Sequence, residues 1–427
     1  MLFRPAESSK RIVDFYRNYL LTTFRTNKDY YNAQLAHELA EDGVISSGPY
    51  ISMSDNYAKD RSINDLVAEG LVTPELAQLS ALHPARQLYK HQVEAIRKAN
   101  EGKNLIITTG TGSGKTECFL IPVINQLLEE KAAGTLGSGV RTLLIYPMNA
   151  LVNDQIRRLR EIFDAYGDES ITFGKFTGET EEKYSHAKNE FVSREGFEPK
   201  KNELISREQM RATPPNILIT NYAMLEYLLL RPGDNVFFNE QNADKWRFIV
   251  LDEAHTYGGA KGIEVGTLLK RVKAMLGRND IRFMLTSATL GSESDNPKIV
   301  NFASSLCNAQ FDESSIVRSV TVPPVKPEST SGLDFSIYRH VAEQLRNNSS
   351  PESVLAWLRD QGVGVVEDSD KKVSLEKTLY DMILYDSFYY DVRRNLLNNT
   401  KPLAQLANEL HMPAEDITRQ PIAESPL

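Results

Sequence analysis

Leu105-Ile-Ile-Thr-Thr-Gly-Thr-Gly-Ser-Gly-Lys-Thr116 is the stretch that decides the fold. A short apolar run enters a turn with glycine at positions 110, 112 and 114, closed by Lys115 and Thr116; Phe119, Leu120 and Val123 follow at helical spacing. A strand, a glycine turn and a helix in that order let backbone N–H groups approach phosphate oxygens. The lysine then meets the β and γ charge, and the hydroxyl serves a magnesium ion. The reading makes Gly110, Thr111, Gly112, Ser113, Gly114, Lys115 and Thr116 a cradle for ATP. Thr109 stands where the general pattern has its first glycine.

Two more motifs follow. Phe248-Ile-Val-Leu251 runs into Asp252-Glu-Ala-His255, and Phe283-Met-Leu-Thr286 runs into Ser287-Ala-Thr289. Apolar runs that end in polar motifs suit buried parallel strands with functional loops at their carboxyl ends. Asp252 is suited to hold Mg²⁺ together with Thr116. Glu253 is suited to orient the attacking water, and His255 to link the γ-phosphate to the next motif. Phosphoryl transfer is mostly positioning and charge neutralisation, so this donor set is sufficient chemistry.

Outward from these motifs, residues 86–310 alternate between short strands and helices. The strands are expected at 105–109, 143–147, 171–176, 217–220, 248–252 and 283–287. The pattern predicts an α/β domain, a parallel sheet with helices on both faces. A mixed-charge insertion, helical and solvated, is expected at 178–213. Residues 1–85 read as a helical N-terminal region. Its stripe of Phe15, Tyr16, Tyr19, Leu20 and Phe24 reads as a core face in preference to a base-stacking platform. Residues 311–335 read as a linker and 336–427 as a helical accessory region, with a helix-turn-helix pattern over 403–417 for which packing is favoured over DNA reading.

Composition narrows the class. The chain has 427 residues, 41% of them hydrophobic, which suffices for two or three cores. No apolar run reaches the ~20 residues of a membrane span, and the start lacks a signal-peptide pattern. The two cysteines, Cys118 and Cys307, cannot make a disulfide framework or a cysteine zinc site. A cytoplasmic location is the expectation. The net charge of −8 argues against a broad basic coating face, while a local groove for one strand remains compatible.

Together these segments resemble the first RecA-like domain of superfamily-two DEAD/DEAH-box helicases over residues 86–310. Leu88-Tyr-Lys-His-Gln92 is similar to the adenine-recognising segment, which implies Gln92 as adenine reader and Tyr89 as a stacking partner. Tyr146-Pro-Met-Asn-Ala-Leu-Val-Asn-Asp-Gln155 resembles the strand-gripping segment, with Met148 and Asn149 where Thr and Arg are usual. Pro147, Asn149 and Gln155 are implied contacts. Thr177-Gly178 and Thr220-Asn221 resemble two further backbone-contacting segments, and Ser287 and Thr289 fall in the coupling motif. Asp252-Glu-Ala-His-Thr-Tyr257, with Gly258 where many relatives carry Arg, is similar to a bacterial branch active in DNA repair and phage defence.

The resemblance implies an ATP-dependent helicase or translocase with DNA as the usual substrate. A nucleotide-gated clamp or an RNA helicase shares the same motifs. The second RecA-like domain, with its arginine fingers, has no counterpart after Ser287-Ala-Thr289; Arg393-Arg394 lacks the glycine and strand context. The expectation is an N-terminal motor portion, or half of a split motor, in which a second domain in cis or in trans completes efficient hydrolysis. Defence or repair partner proteins are implied by the same branch.

Overall fold

Eight parallel strands form one sheet: β1 (Leu105–Thr108), β2 (Thr142–Tyr146), β3 (Phe173–Lys175), β4 (Glu203–Leu204), β5 (Ile217–Asn221), β6 (Phe248–Leu251), β7 (Arg282–Ser287) and β8 (Ile316–Arg318). They run in the order β8-β1-β7-β6-β2-β5-β3-β4. The computed structural model describes residues 5–41, 43–48, 50–110, 112–288, 293–328, 330, 332–365, 374–397 and 399–410. The chain divides into two compact units, residues 57–321 and residues 1–56 with 322–427.

Alternation along each strand builds two cores. Leu105, Ile107, Leu144, Tyr146, Ile217, Ile219, Phe248, Val250 and Met284 face one side with residues of helices Lys90–Asn100, Lys115–Ala132 and Asn149–Tyr166. Ile106, Leu143, Ile145, Leu218, Ile249, Leu251, Phe283 and Leu285 face the other with residues of helices Tyr222–Leu230, Gly259–Leu276 and Asn296–Cys307. This is the sheet with helices on both faces that the pattern predicts. Cys118 and Cys307 are free thiols inside these cores, and burial raises both above the usual thiol range.

Three stretches differ from the sequence reading. Ile63, Leu66, Leu76, Leu79 and Leu82, read with the N-terminal helices, join the first core, and Lys59–Ser62 pairs antiparallel with Gln87–Tyr89. β8 lies in the stretch read as linker; three residues, Ile-Val-Arg, carry too little periodicity to announce a strand. The insertion does contain helices Tyr184–Glu195 and Arg207–Ala212, yet it also supplies β4. Glu203 of β4 is buried and takes both prongs of Arg160 at 2.8 Å, so part of this charged segment is interior and paired.

In the other unit, helices Pro5–Thr23 and Asp29–Glu38 form a hairpin, tied where Arg17 Nε donates to the Leu39 carbonyl at 3.0 Å. The aromatic stripe read as core is exposed: 79% for Phe15, 55% for Tyr19 and 60% for Phe24. A two-helix layer covers only one strip of each helix, and this strip is not the covered one. Strand Tyr50–Ser52 pairs antiparallel with Thr400–Pro402, and Asp55 receives three hydrogen bonds from Arg393 at 2.7–3.0 Å. Arg393 is thus committed to a structural pair. Helices Phe335–Arg346, Pro351–Asp360 and Leu375–Leu384 share a small core of Ile337, Val341, Val354, Leu358 and Met382. Residues 411–417, the second half of the helix-turn-helix pattern, lie outside the described residues. No helix among the described residues is long and apolar enough to cross a membrane.

Candidate active site

The strand order sets β1, β7 and β6 side by side, which brings the glycine turn, Ser287 and Asp252 together at one end of the sheet. The turn is held from within. Ser113 is fully buried; its hydroxyl meets the Thr109 hydroxyl at 2.7 Å and donates to the Gly110 carbonyl at 2.8 Å. Thr109 therefore contributes an internal staple, and Ser113 offers a ligand its backbone only. Gly112 and Gly114 have φ of +72° and +70°, where a Cβ is strained, and a Cβ on Gly114 would lie 2.4 Å from Gln92 Nε2. Thr111 lies outside the described residues.

Helix Lys90–Asn100 supports the turn from behind. Gln92 Nε2 donates to the Gly114 carbonyl at 3.0 Å, while its Oε1 accepts from Tyr89 N at 2.8 Å. Each end of that amide keeps a second hydrogen-bonding position. His91 was not singled out from the sequence. Its Nε2 lies 2.9 Å from the Ser113 carbonyl, so Nε2 carries the proton, and burial lowers its pKa. The ring stacks on Tyr89 with centroids 5.6 Å apart and meets Tyr57 edge-on at the same separation. A histidine beside an adenine-segment glutamine was the available signal.

Lys115 Nζ lies 3.4 Å from Glu253 Oε1. Thr286 donates its hydroxyl to Asp252 Oδ1 and accepts from Glu253 N at 3.2 Å, so one threonine positions both acids. Sequence reasoning missed it because it reads as the last residue of an apolar run. Burial, with Glu253 adjacent, raises the Asp252 carboxyl above its usual range despite the Thr286 bond. Glu253 sits at φ 49°, ψ 49°, a left-handed backbone that costs energy for a residue with a side chain. Its Oε2 is buried and faces the His255 ring. His255 Nδ1 stands 3.2 Å from Ser287 Oγ and 3.3 Å from Glu253 Oε2, bridging the two motifs. Thr289 lies outside the described residues.

The other implied contacts separate into two groups. Asn149 and Asn221 are half-buried and linked: Asn221 Nδ2 donates to Asn149 Oδ1 at 2.8 Å, and Asn149 Nδ2 donates to Glu179 at 3.0 Å. Gly178 is exposed with open space around it, and Pro147 is half-buried. Thr177 and Thr220 are fully buried. Thr220 Oγ1 donates to the Phe176 carbonyl at 2.7 Å, and Thr177 N donates to Thr180 Oγ1 at 3.0 Å, so both shape loops from inside. Gln155 is only 5% exposed and lines a cleft of about 290 Å³ with Thr116 and Asp252. Six residues along a helix turn ~240°, which takes Gln155 away from the side that Asn149 presents.

The donor set fits a nucleotide with magnesium. Glycines at positive φ shape the turn, a lysine faces a carboxylate, and a hydroxyl and a half-buried aspartate share a cleft. Mg²⁺ commonly takes one or two protein oxygens and leaves the rest to phosphates and water.

The chain is 28% identical to Druantia protein DruE of Escherichia coli (strain UMEA 4076-1), over 80% of this chain and 24% of that one. It is 29% identical to the uncharacterized ATP-dependent helicase YprA of Bacillus subtilis, over 50% of this chain and 24% of that protein. Among solved structures, DUF1998 helicase MrfA bound to DNA and AMPPNP aligns at 21% identity and TM-score 0.47, covering 75% of this chain and 40% of that one. The chain spans about a quarter of the length of these two curated relatives. Residues 89–296 match the DEAD/DEAH box helicase family, and this stretch of the chain is a DEAD/DEAH box helicase domain.

Proposed function

We propose that the chain is the nucleotide-binding motor portion of an ATP-dependent DNA helicase or translocase. The observation that carries the reading is the approach of Lys115 to Glu253 at 3.4 Å beside an Asp252 anchored by Thr286. Lys115 and the amides of 110–116 hold the phosphates; Thr116 and Asp252 hold Mg²⁺, which neutralises phosphate charge. Glu253, with one oxygen toward Lys115 and the other toward His255, orients the attacking water. His255 and Ser287 link this centre to the coupling segment, and Gln92 with Tyr89 borders the adenine. Pro147, Asn149, Gly178 and Asn221 grip one strand through its backbone, with Thr177 and Thr220 shaping their loops.

A second RecA-like domain, in cis or in trans, supplies the arginines for efficient hydrolysis. We place the protein in the cytoplasm with a role in phage defence or DNA repair, on the likeness of its Asp252–Tyr257 segment to that branch.

The test is turnover by the complete motor with matched DNA and RNA strands. Glu253→Gln retains ATP binding and lowers the rate by about 10²–10⁴, and DNA stimulates more than RNA. Unchanged turnover in Glu253→Gln overturns the assignment. Stimulated turnover without strand separation makes the protein a translocase or clamp.

A further inference from the structure

Lys261 belongs to the first turn of helix Gly259–Leu276, where the positive end of the helix dipole disfavours a cation and where no acidic residue compensates. Its ammonium sits 4.6 Å from the ring centre of Tyr222 and 5.2 Å from that of Tyr257. The two rings meet at 78° with centroids 6.2 Å apart. Among the described residues it has no hydrogen bond and no ion pair. Tyr222 directly follows Asn221, and Tyr257 lies two residues beyond His255, so these rings join the strand-gripping loop after β5 to the acidic loop after β6. A cation at a helix N-terminus is here given two aromatic faces and no acidic partner among the described residues, and an anionic ligand is the compensation that the chemistry favours.

We propose that Lys261 contacts a backbone phosphate of the bound strand, held over Tyr222 and Tyr257 so that its charge faces the ligand with little freedom to lose. The proposal rests on the strand-gripping reading above. Because Tyr257 belongs to the segment of Glu253 and His255, a phosphate on Lys261 tells that segment that a strand is present.

The test measures binding of a fluorescein-labelled oligothymidylate to the full chain by anisotropy between about 50 and 200 mM KCl. Removing one phosphate contact with Lys261→Met lowers the slope of log affinity against log salt by about 0.7 and weakens binding about fivefold at ~0.1 M salt, the contribution of one released counterion. Lys261→Arg restores both values. Wild-type affinity and slope in Lys261→Met overturn the proposal, and so does weaker binding with an unchanged slope, which assigns Lys261 to packing alone. Asn149→Ala and Asn221→Ala are measured beside it. If they weaken binding while Lys261→Met does not, this proposal falls and the strand-gripping reading stands. If all three bind as wild type, both fall.

Discussion

The central strands of the sheet and the N-terminal helical hairpin make an instructive pair. Both carry apolar residues at regular spacing, and the sequence reading assigned both to cores. In the sheet, Phe248, Val250 and Met284 are at most 1% exposed, as are Ile249, Leu251 and Phe283 on the opposite face. In the hairpin, Phe15 is 79% exposed. A strand in a parallel sheet is covered on both sides by its own crossover helices, so topology guarantees burial. An amphipathic helix has no such guarantee. Its periodicity says that one face is apolar and leaves open what covers it.

The largest expected effect that sharpens this comparison is in the core. Phe119→Ala, at a site 1% exposed between sheet and helix, lowers the unfolding free energy by about 3–5 kcal/mol in urea titration. A loss under ~1 kcal/mol breaks the claim that this helix face is a packed interior.

An intermediate effect has the opposite sign. Asp252 is held with its pKa raised, so its native form binds a proton more tightly than the unfolded chain does. Stability therefore falls as pH rises from the ordinary carboxylate range through the raised value, and at neutral pH the ionised group is a net cost. Asp252→Asn should raise Tm by about 2–4 °C at pH 7, the shift expected for ~1 kcal/mol, while turnover is lost. The gain disappears in acid, below the ordinary carboxylate range. Calorimetry at both pH values checks it, and a Tm below wild type at pH 7 contradicts it.

The smallest effect belongs to the hairpin. Phe15→Ala changes stability by no more than about 0.5 kcal/mol, as expected for an exposed side chain away from special contacts. A loss of several kcal/mol by the same titration means that the chain buries this stripe in solution, and the contrast between the two regions then disappears.

Much of the site was legible because its chemistry is local. Glycines that need positive φ, a lysine at the mouth of a helix and adjacent acids after a strand are patterns over a few residues. Thr286 and His91 were less legible, since each acts through a partner far away in sequence: Asp252 and the Ser113 carbonyl. Gln155 shows the same limit from the other side. A motif match gave it a role, while its helical phase turned it into the cleft with Thr116 and Asp252. The insertion misread as solvated hides Glu203 for the same reason, because its partner Arg160 is 43 residues away.

By itself the sequence determined the parallel α/β architecture, the order of the motifs and the residues of the proposed nucleotide site, because strand periodicity and turn chemistry are short-range properties. Only the tertiary structure decided which of the implied strand contacts are accessible, that Lys261 lies over two tyrosines, and that the N-terminal aromatic stripe faces outward. Those outcomes depend on which distant segments share a surface, and spacing along the chain carries no information about a neighbour that arrives through space.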